Sequence, residues 1–287
     1  MANCETCLRR TMRTLCFNQK FPLDRELMKG LLQCIKAGEA SSKASIGAYL
    51  GINPYKIEGL RGWFCKLGLG SFNRQGYYLS EFGALAAEYD PDLVRPGTLW
   101  LLHYFLVSEH DERAEVWYRC FNEFVFPGKS FTPEELREYV ERVLPEQPEN
   151  RDAVKEDAKA LVKTYTNTNG LGELAMLSKQ PQRRFRAALA KLPENLIAAY
   201  ALFDTWQRRY PGLDTIRLSQ IADEPEFLGR VFVATPSQVR DMVLHLQAVG
   251  LLSFADTQHE PVTRRYHEPV VTLLQRYYAP ADGASGT

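Results

Sequence analysis

Two twenty-residue stretches of this chain align without a gap. "NPYKIEGLRGWFCKLGLGSF" begins at Asn53 and "TPSQVRDMVLHLQAVGLLSF" at Thr235, a constant offset of 182. Pro, Gly, Leu, Ser and Phe recur at matching places, and Ile57, Leu60, Phe64 and Leu67 match Val239, Met242, Leu246 and Val249. Such a repeat requires one local architecture to be built twice. Each copy opens on a capping residue, Asn53 or Thr235, followed by Pro54 or Pro236 at the first helical position. An apolar stripe at intervals of three and four then predicts a helix that ends at Gly68 or Gly250. The residues after the glycine alternate around a polar tip, as in a β-hairpin.

The surroundings extend this pattern. Asp24 is placed to cap a helix carrying Leu27, Met28, Leu31, Leu32 and Ile35, and Ser42 to cap a shorter one that closes at Gly51. Helix, helix, helix and hairpin is the order of a winged helix-turn-helix. "LSEFGALAAEYD" continues as a helix behind the hairpin. In the second half, "NLIAAYALFDTWQRRY", "IRLSQIADEP", the repeated helix, "LLSFADTQHEPVTRRYH" and "PVVTLLQRYY" give helix, turn, helix, wing and helix. The predicted fold class is therefore mainly α: two winged helix-turn-helix modules joined by an aromatic-rich helical middle. The expected boundaries are a basic cysteine-containing lead-in (1–20), an N-terminal winged helix (21–90), an acidic helical region (91–170), a C-terminal winged-helix-like domain (171–280) and a tail (281–287).

A winged helix presents the polar face of its last helix to the major groove, and its wing to phosphates. In the first copy that face would show Tyr55, Lys56, Arg61 and Lys66, with Asn53 at the entrance and Arg74 at the wing tip. Long cations neutralise phosphate, and arginine can fork onto guanine. Gly59 and Gly62 each cost a helix about 1 kcal/mol relative to Ala, which points to close approach by DNA or by a neighbouring helix. The second copy offers Arg240, with Arg264 and Arg265 on its wing, on a face that also carries Asp241, His245 and Gln247. That mixed face suits protein docking as readily as DNA. A third basic stretch, "SKQPQRRFRAALAK", interleaves Lys179, Arg183, Arg184, Arg186 and Lys191 with Phe185. It fits phosphate tracking, but is read first as a solvated loop that pairs with the acidic middle.

Charge distribution supports this division. Lys and Arg total 35, as do Asp and Glu, yet residues 1–80 carry twelve cations against five acids (net +7), residues 81–160 nine against eighteen (net −9), and residues 161–287 fourteen against twelve (net +2). The basic head is suited to a polyanion; the acidic middle is not. No apolar run approaches the ~20 residues of a membrane span, and the start lacks the apolar core of a signal peptide, so a cytoplasmic protein is expected. Cys4 and Cys7 stand as Cys-x-x-Cys, with Cys16 beyond them. Three thiolates could share a zinc ion, but a fourth ligand is missing nearby. Otherwise no cofactor is expected.

The middle contains "TLWLLHYFLVS", "RAEVWYRCFNEFVF" and "FTPEELREYVERVL", the last with Thr132 as cap and Pro133 behind it. His103 and His110 lie near Glu109, Asp111 and Glu112, a combination that invites acid–base chemistry. His103 inside "WLLHYFL" reads instead as a core histidine, and no phosphate loop, dinucleotide fingerprint or nucleophile elbow occurs.

The run from "FPLDRELMKGLLQCI" to "FTPEELREYV" resembles a bacterial family of unknown function. Its most specific pieces are Tyr89-Asp90-Pro91, Trp100 with His103-Tyr104, and Trp117-Tyr118 with Phe121-Asn122. Members are encoded in phage-defence clusters with phosphoadenosine-phosphosulfate-reductase-like genes, of the DNA phosphorothioation and BREX type. The likeness is good over residues 21–170, and the cysteine-bearing start departs from it. It implies a genomic context and supplies no catalytic residues. The expectation is a non-enzymatic DNA-binding or adaptor subunit of such a system, with duplex DNA, other defence proteins and a second copy of the chain as partners. A protein-docking scaffold without DNA contact, or a regulator of the defence operon, are the alternatives.

Overall fold

The computed structural model describes residues 14–110, 113–144, 150–189 and 191–279. The chain is mainly α. Helix α1 (Arg25–Lys36) starts where the Asp24 carboxylate accepts the Leu27 N–H at 3.2 Å. Helix α2 (Lys43–Leu50) starts from a reciprocal Ser42–Ser45 capping box and ends at Gly51, in the left-handed region at φ 66°. Helix α3 (Pro54–Lys66) is followed by the antiparallel strands β1 (Gly70–Asn73) and β2 (Gly76–Leu79), then by α4 (Glu81–Tyr89).

The aromatic middle opens with α5 (Pro96–Val107), buried along nearly its whole length. Helix α6 (Glu115–Arg119) runs straight into a π turn at Cys120–Phe124. A two-residue strand β3 (Ser130–Phe131), α7 (Pro133–Val143) with the expected Thr132 cap, and α8 (Asn150–Thr164) complete this region. Neither the π turn nor β3 has a periodic pattern in the sequence. The stretch 177–187 forms strands β4 (Leu177–Gln180) and β5 (Arg184–Ala187), with β5 between β3 and β4.

The second half contains α9 (Asn195–Arg209), β6 (Thr215–Arg217), α10 (Leu218–Asp223), α11 (Leu228–Val231), α12 (Pro236–Ala248), β7 (Leu252–Phe254), β8 (Pro261–Arg264) and α13 (Val271–Tyr278). Strand β6 joins the hairpin, giving the order β6-β8-β7 where the first copy has two strands. Pro261 begins β8 opposite Arg217.

The repeat holds to the level of single hydrogen bonds. Asn53 accepts the Lys56 N–H at 2.9 Å, and Thr235 accepts the Gln238 N–H at 3.2 Å. Both helices stop with a left-handed glycine, Gly68 at φ 69° and Gly250 at φ 76°. In both, the next amide reaches back five residues: Leu69 N–H to Phe64 C=O at 3.2 Å, Leu251 N–H to Leu246 C=O at 3.0 Å. This stop reverses the chain so that the following strand lies against its own helix.

The two halves share one apolar core. Helix α13 packs on both α9 and α4. Its Tyr277 hydroxyl accepts the Gly97 N–H at 3.1 Å, its Tyr278 hydroxyl lies 2.6 Å from Thr98 Oγ1, and the Tyr278 ring stacks on Tyr89.

Candidate nucleic-acid interface

Surface and charge decide which of the predicted DNA-binding side chains are available. On α3 the available ones cluster at the start. Tyr55 is 52% exposed, with its ring edge against Phe21. Lys56 is half-buried one residue on, and Asn53 is exposed but uses its side-chain oxygen to cap the helix. Arg74 is exposed in the β1–β2 turn, where Asn73 Oδ1 accepts the Gln75 N–H at 2.7 Å and shapes the tip. Among the described residues, neither Lys56 nor Arg74 has a carboxylate partner. The nearest acid in sequence, Glu58, is engaged by Lys43 and by Arg61.

Arg61 and Lys66, expected on the open face, are not there. The Arg61 guanidinium lies 3.5 Å from the Phe72 ring centroid, its side chain is 11% exposed, and it reaches Glu58 at 3.4 Å. A cation on an aromatic face and beside a carboxylate tethers the hairpin to α3. Lys66 is 7% exposed. A different side of α3, at Gly59 and Gly62, is covered as well. The segment leading into α1 crosses α3, with Phe17 and Asn18 buried. A Cβ on Gly59 would stand 2.5 Å from the Asn18 carbonyl oxygen, and one on Gly62 would collide with the Phe17 carbonyl. The glycines do permit close approach, but of this chain's own backbone. Trp63 then donates from Nε1 to the Phe21 carbonyl at 3.1 Å and packs with Phe17 and Trp117 at centroid distances of 5.1 and 5.4 Å.

In the second copy the cations are occupied differently. Arg240 is held by Glu260, and by Asp256 at 2.8 Å. Both acids come from the β7–β8 turn, and the guanidinium also lies over Phe254. Arg264 donates from Nε to the Tyr266 carbonyl at 2.5 Å and sits over the Phe203 ring. Arg265 is exposed, with Nε 3.2 Å from Ser253 Oγ. Of the nine predicted residues, the structure leaves Asn53, Tyr55, Lys56, Arg74 and Arg265 at the surface, buries Lys66, and turns Arg61, Arg240 and Arg264 to internal pairing.

The acid–base candidates in the middle have structural partners. His103 is fully buried, with Nδ1 2.6 Å from the Tyr165 hydroxyl and Nε2 2.7 Å from the Val231 carbonyl. Burial pushes its pKa down to about 4, so the ring is neutral. His110 stands 3.8 Å from Asp204, whose carboxylate also accepts Arg208 Nε at 3.1 Å and the Tyr104 hydroxyl at 2.5 Å. Asp111 and Glu112 lie outside the described residues. Of the cysteines considered for zinc, Cys4 and Cys7 also lie outside them. Cys16 is half-buried, and its amide donates to Asp157 Oδ2 at 2.7 Å. Burial raises the Asp157 pKa to about 7. Among the described residues, no three His, Cys, Asp or Glu side chains are grouped to hold a metal, and no helix is long and apolar enough to cross a membrane.

The chain belongs to the DUF4007 family of proteins of unknown function, whose family model matches residues 27–278. Its fold is similar to that of a magnesium ion-bound SspB crystal structure, with a TM-score of 0.78 at 19% identity over 92% of this chain and 87% of that one. A second SspB crystal structure is similar at a TM-score of 0.76, with the same identity and coverage. No curated protein matches the chain.

Proposed function

We propose that the protein is a duplex-DNA-binding adaptor subunit of a bacterial anti-phage system of the phosphorothioation or BREX type, and that it does no chemistry of its own. The observation that carries this reading is the pair of cations at the entrance of α3 and the tip of its hairpin, Lys56 and Arg74, beside the exposed Tyr55. We read α1–α3 with β1 and β2 as a winged helix whose contact with DNA is made by the first helical turn and the wing, because the rest of α3 is covered. Contacts of that kind go mainly to phosphates and position a protein without reading much sequence. The defence context comes from the family resemblance, to which the shared fold with SspB adds support.

Fluorescence anisotropy on a labelled duplex across a salt series tests the binding. Lys56→Gln with Arg74→Gln is expected to reduce the slope of log affinity against log salt by about 2, since each lost phosphate contact removes ~0.9. A wild-type chain that binds no duplex at low salt defeats the reading. The magnesium ion in one SspB structure supplies a second arm. Supercoiled plasmid incubated with the protein and magnesium is expected to stay intact, and nicking would overturn the non-enzymatic part.

The second copy favours a different partner. Its helix α12 exposes Asp241, Leu244 and His245 where α3 is covered, while its one central cation is neutralised. That face is suited to a protein of the same system or to a second copy of this chain.

A further inference from the structure

The basic stretch at 177–187 belongs to neither repeated unit. It is a hairpin, with Gln180 paired to Arg184 and Ser178 to Arg186. Its base is fixed to the middle region: Leu177, Ala187 and Phe131 are buried, and β3 pairs with Phe185 and Arg186. Residues directly opposite in an antiparallel pair share a face, so Arg184 and Arg186 project together with Ser178 and Gln180. Arg184 forks onto Glu135 at 3.3 Å and donates to the Ser130 carbonyl at 3.0 Å. That is the pairing with the acidic middle expected for the whole stretch, but it takes up only one cation. Lys179, Arg183 and Arg186 are exposed, with no carboxylate partner among the described residues.

The turn adds a second observation. Gln182 and Arg183 both sit at φ 58°, in the left-handed region that costs a non-glycine residue about 1–2 kcal/mol. The Arg184 N–H returns to the Pro181 carbonyl at 3.2 Å, which makes Gln182 and Arg183 the central pair of the turn, a place where two left-handed residues are normally Asn-Gly. Both residues are exposed, so no buried packing of their side chains offsets the strain. One of the two strained residues, Arg183, is itself among the cations without a carboxylate partner in the described residues.

We propose that the β4–β5 hairpin is a second phosphate-contacting element, gripping the DNA backbone tip-on through Arg183 at its turn, Arg186 on one face and Lys179 on the other. The inference rests on the duplex-binding reading above. Only the Gln180–Arg184 pair extends past β3 before the turn, too short a ribbon to enter the major groove. Contact is therefore with phosphates, and binding through the hairpin is independent of base sequence.

The test uses the full chain, two labelled duplexes of unrelated sequence and a salt series. A Lys179→Gln, Arg183→Gln, Arg186→Gln variant is expected to lose tenfold or more in affinity at low salt, and about 2–3 in salt slope, equally on both duplexes. Wild-type binding with no change in the variant overturns the hairpin contact and leaves the α3 contact standing. Loss on one duplex only overturns the backbone reading. Absence of wild-type binding overturns the parent reading, and this inference with it. Arg183→Gly keeps the turn and relieves its strain, so it decides the matter should the triple variant misfold. It is expected to lower the slope by about 1 with a melting temperature at least that of the wild type.

Discussion

Helices α3 and α12 share cap, apolar stripe, left-handed stop and hairpin, and differ in what lies on one side. At Gly59 and Gly62 the first is crossed by the backbone of Phe17 and Asn18; at the matched positions Asp241 and Leu244 the second meets solvent, with Leu244 41% exposed. Leu67, at the end of the first stripe, is fully buried, whereas the matched Val249 is 54% exposed. A repeat therefore preserves how a unit is built and leaves open what the unit touches. The covered helix keeps only its entrance and the tip of its hairpin at the surface. The open helix has the larger free face, but its arginine is committed to its own hairpin.

Exchanging the glycine and the leucine is the strongest way to break this comparison. Gly62→Leu puts a side chain into the Phe17 carbonyl, where main chain must move, and is expected to cost about 3 kcal/mol or more in denaturant unfolding. The converse, Leu244→Gly, removes an exposed side chain and should cost only about 1 kcal/mol of helix propensity. Equal costs would mean that the crossing segment does not seal α3.

The next test concerns the acid beneath that segment. Asp157 titrates near 7 in the fold against 3.8 in the open chain, so the folded state holds the extra proton between those values and stability falls as pH rises from about 4 to about 7. His103 acts oppositely. Its pKa near 4 against 6.5 makes the unfolded chain the better proton acceptor, so stability rises with pH across that window. The two slopes offset each other in the wild type. Asp157→Asn retains an oxygen for the Cys16 amide; it should leave the rising limb alone and add on the order of 1–2 kcal/mol above pH 7. Thermal melts at pH 4.5, 6 and 8 read both effects, and a pH profile unchanged from wild type would count against the buried, protonated acid.

The smallest effect is expected at Arg240. With Asp256 and Glu260 already on its guanidinium, Arg240→Gln should leave the salt slope of DNA binding within about 0.3 of wild type, against about 2 for the Lys56 and Arg74 pair. A fall near 0.9 would make the second copy a DNA contact as well.

The local grammar of this fold was legible in the sequence. Asp24, Ser42, Asn53, Thr132 and Thr235 all cap where side-chain chemistry at a helix start places them, because a cap needs only its own next three residues. The candidate site was less legible. Periodicity identified the side of α3 opposite its stripe, but not that residues 17–21, more than thirty positions earlier, would lie across it. The glycine pair signalled close approach without naming what approaches. For Arg240 a signal was present: the second hairpin carries Asp256 and Glu260 near its tip where the first carries Arg74. Two-residue β3 could not be foreseen, since its pairing with β5 joins positions 54 and 56 apart and leaves no local pattern.

The clasp of α13 on α4 and α5 has a consequence for synthesis. Thr98, Gly97 and Tyr89 wait for tyrosines made some 180 residues later. A nascent chain that has emerged only as far as α12 leaves apolar surface of the first half uncovered. The protein therefore completes its core late, and a ribosome stalled before residue 271 would display a sticky intermediate of interest to chaperones.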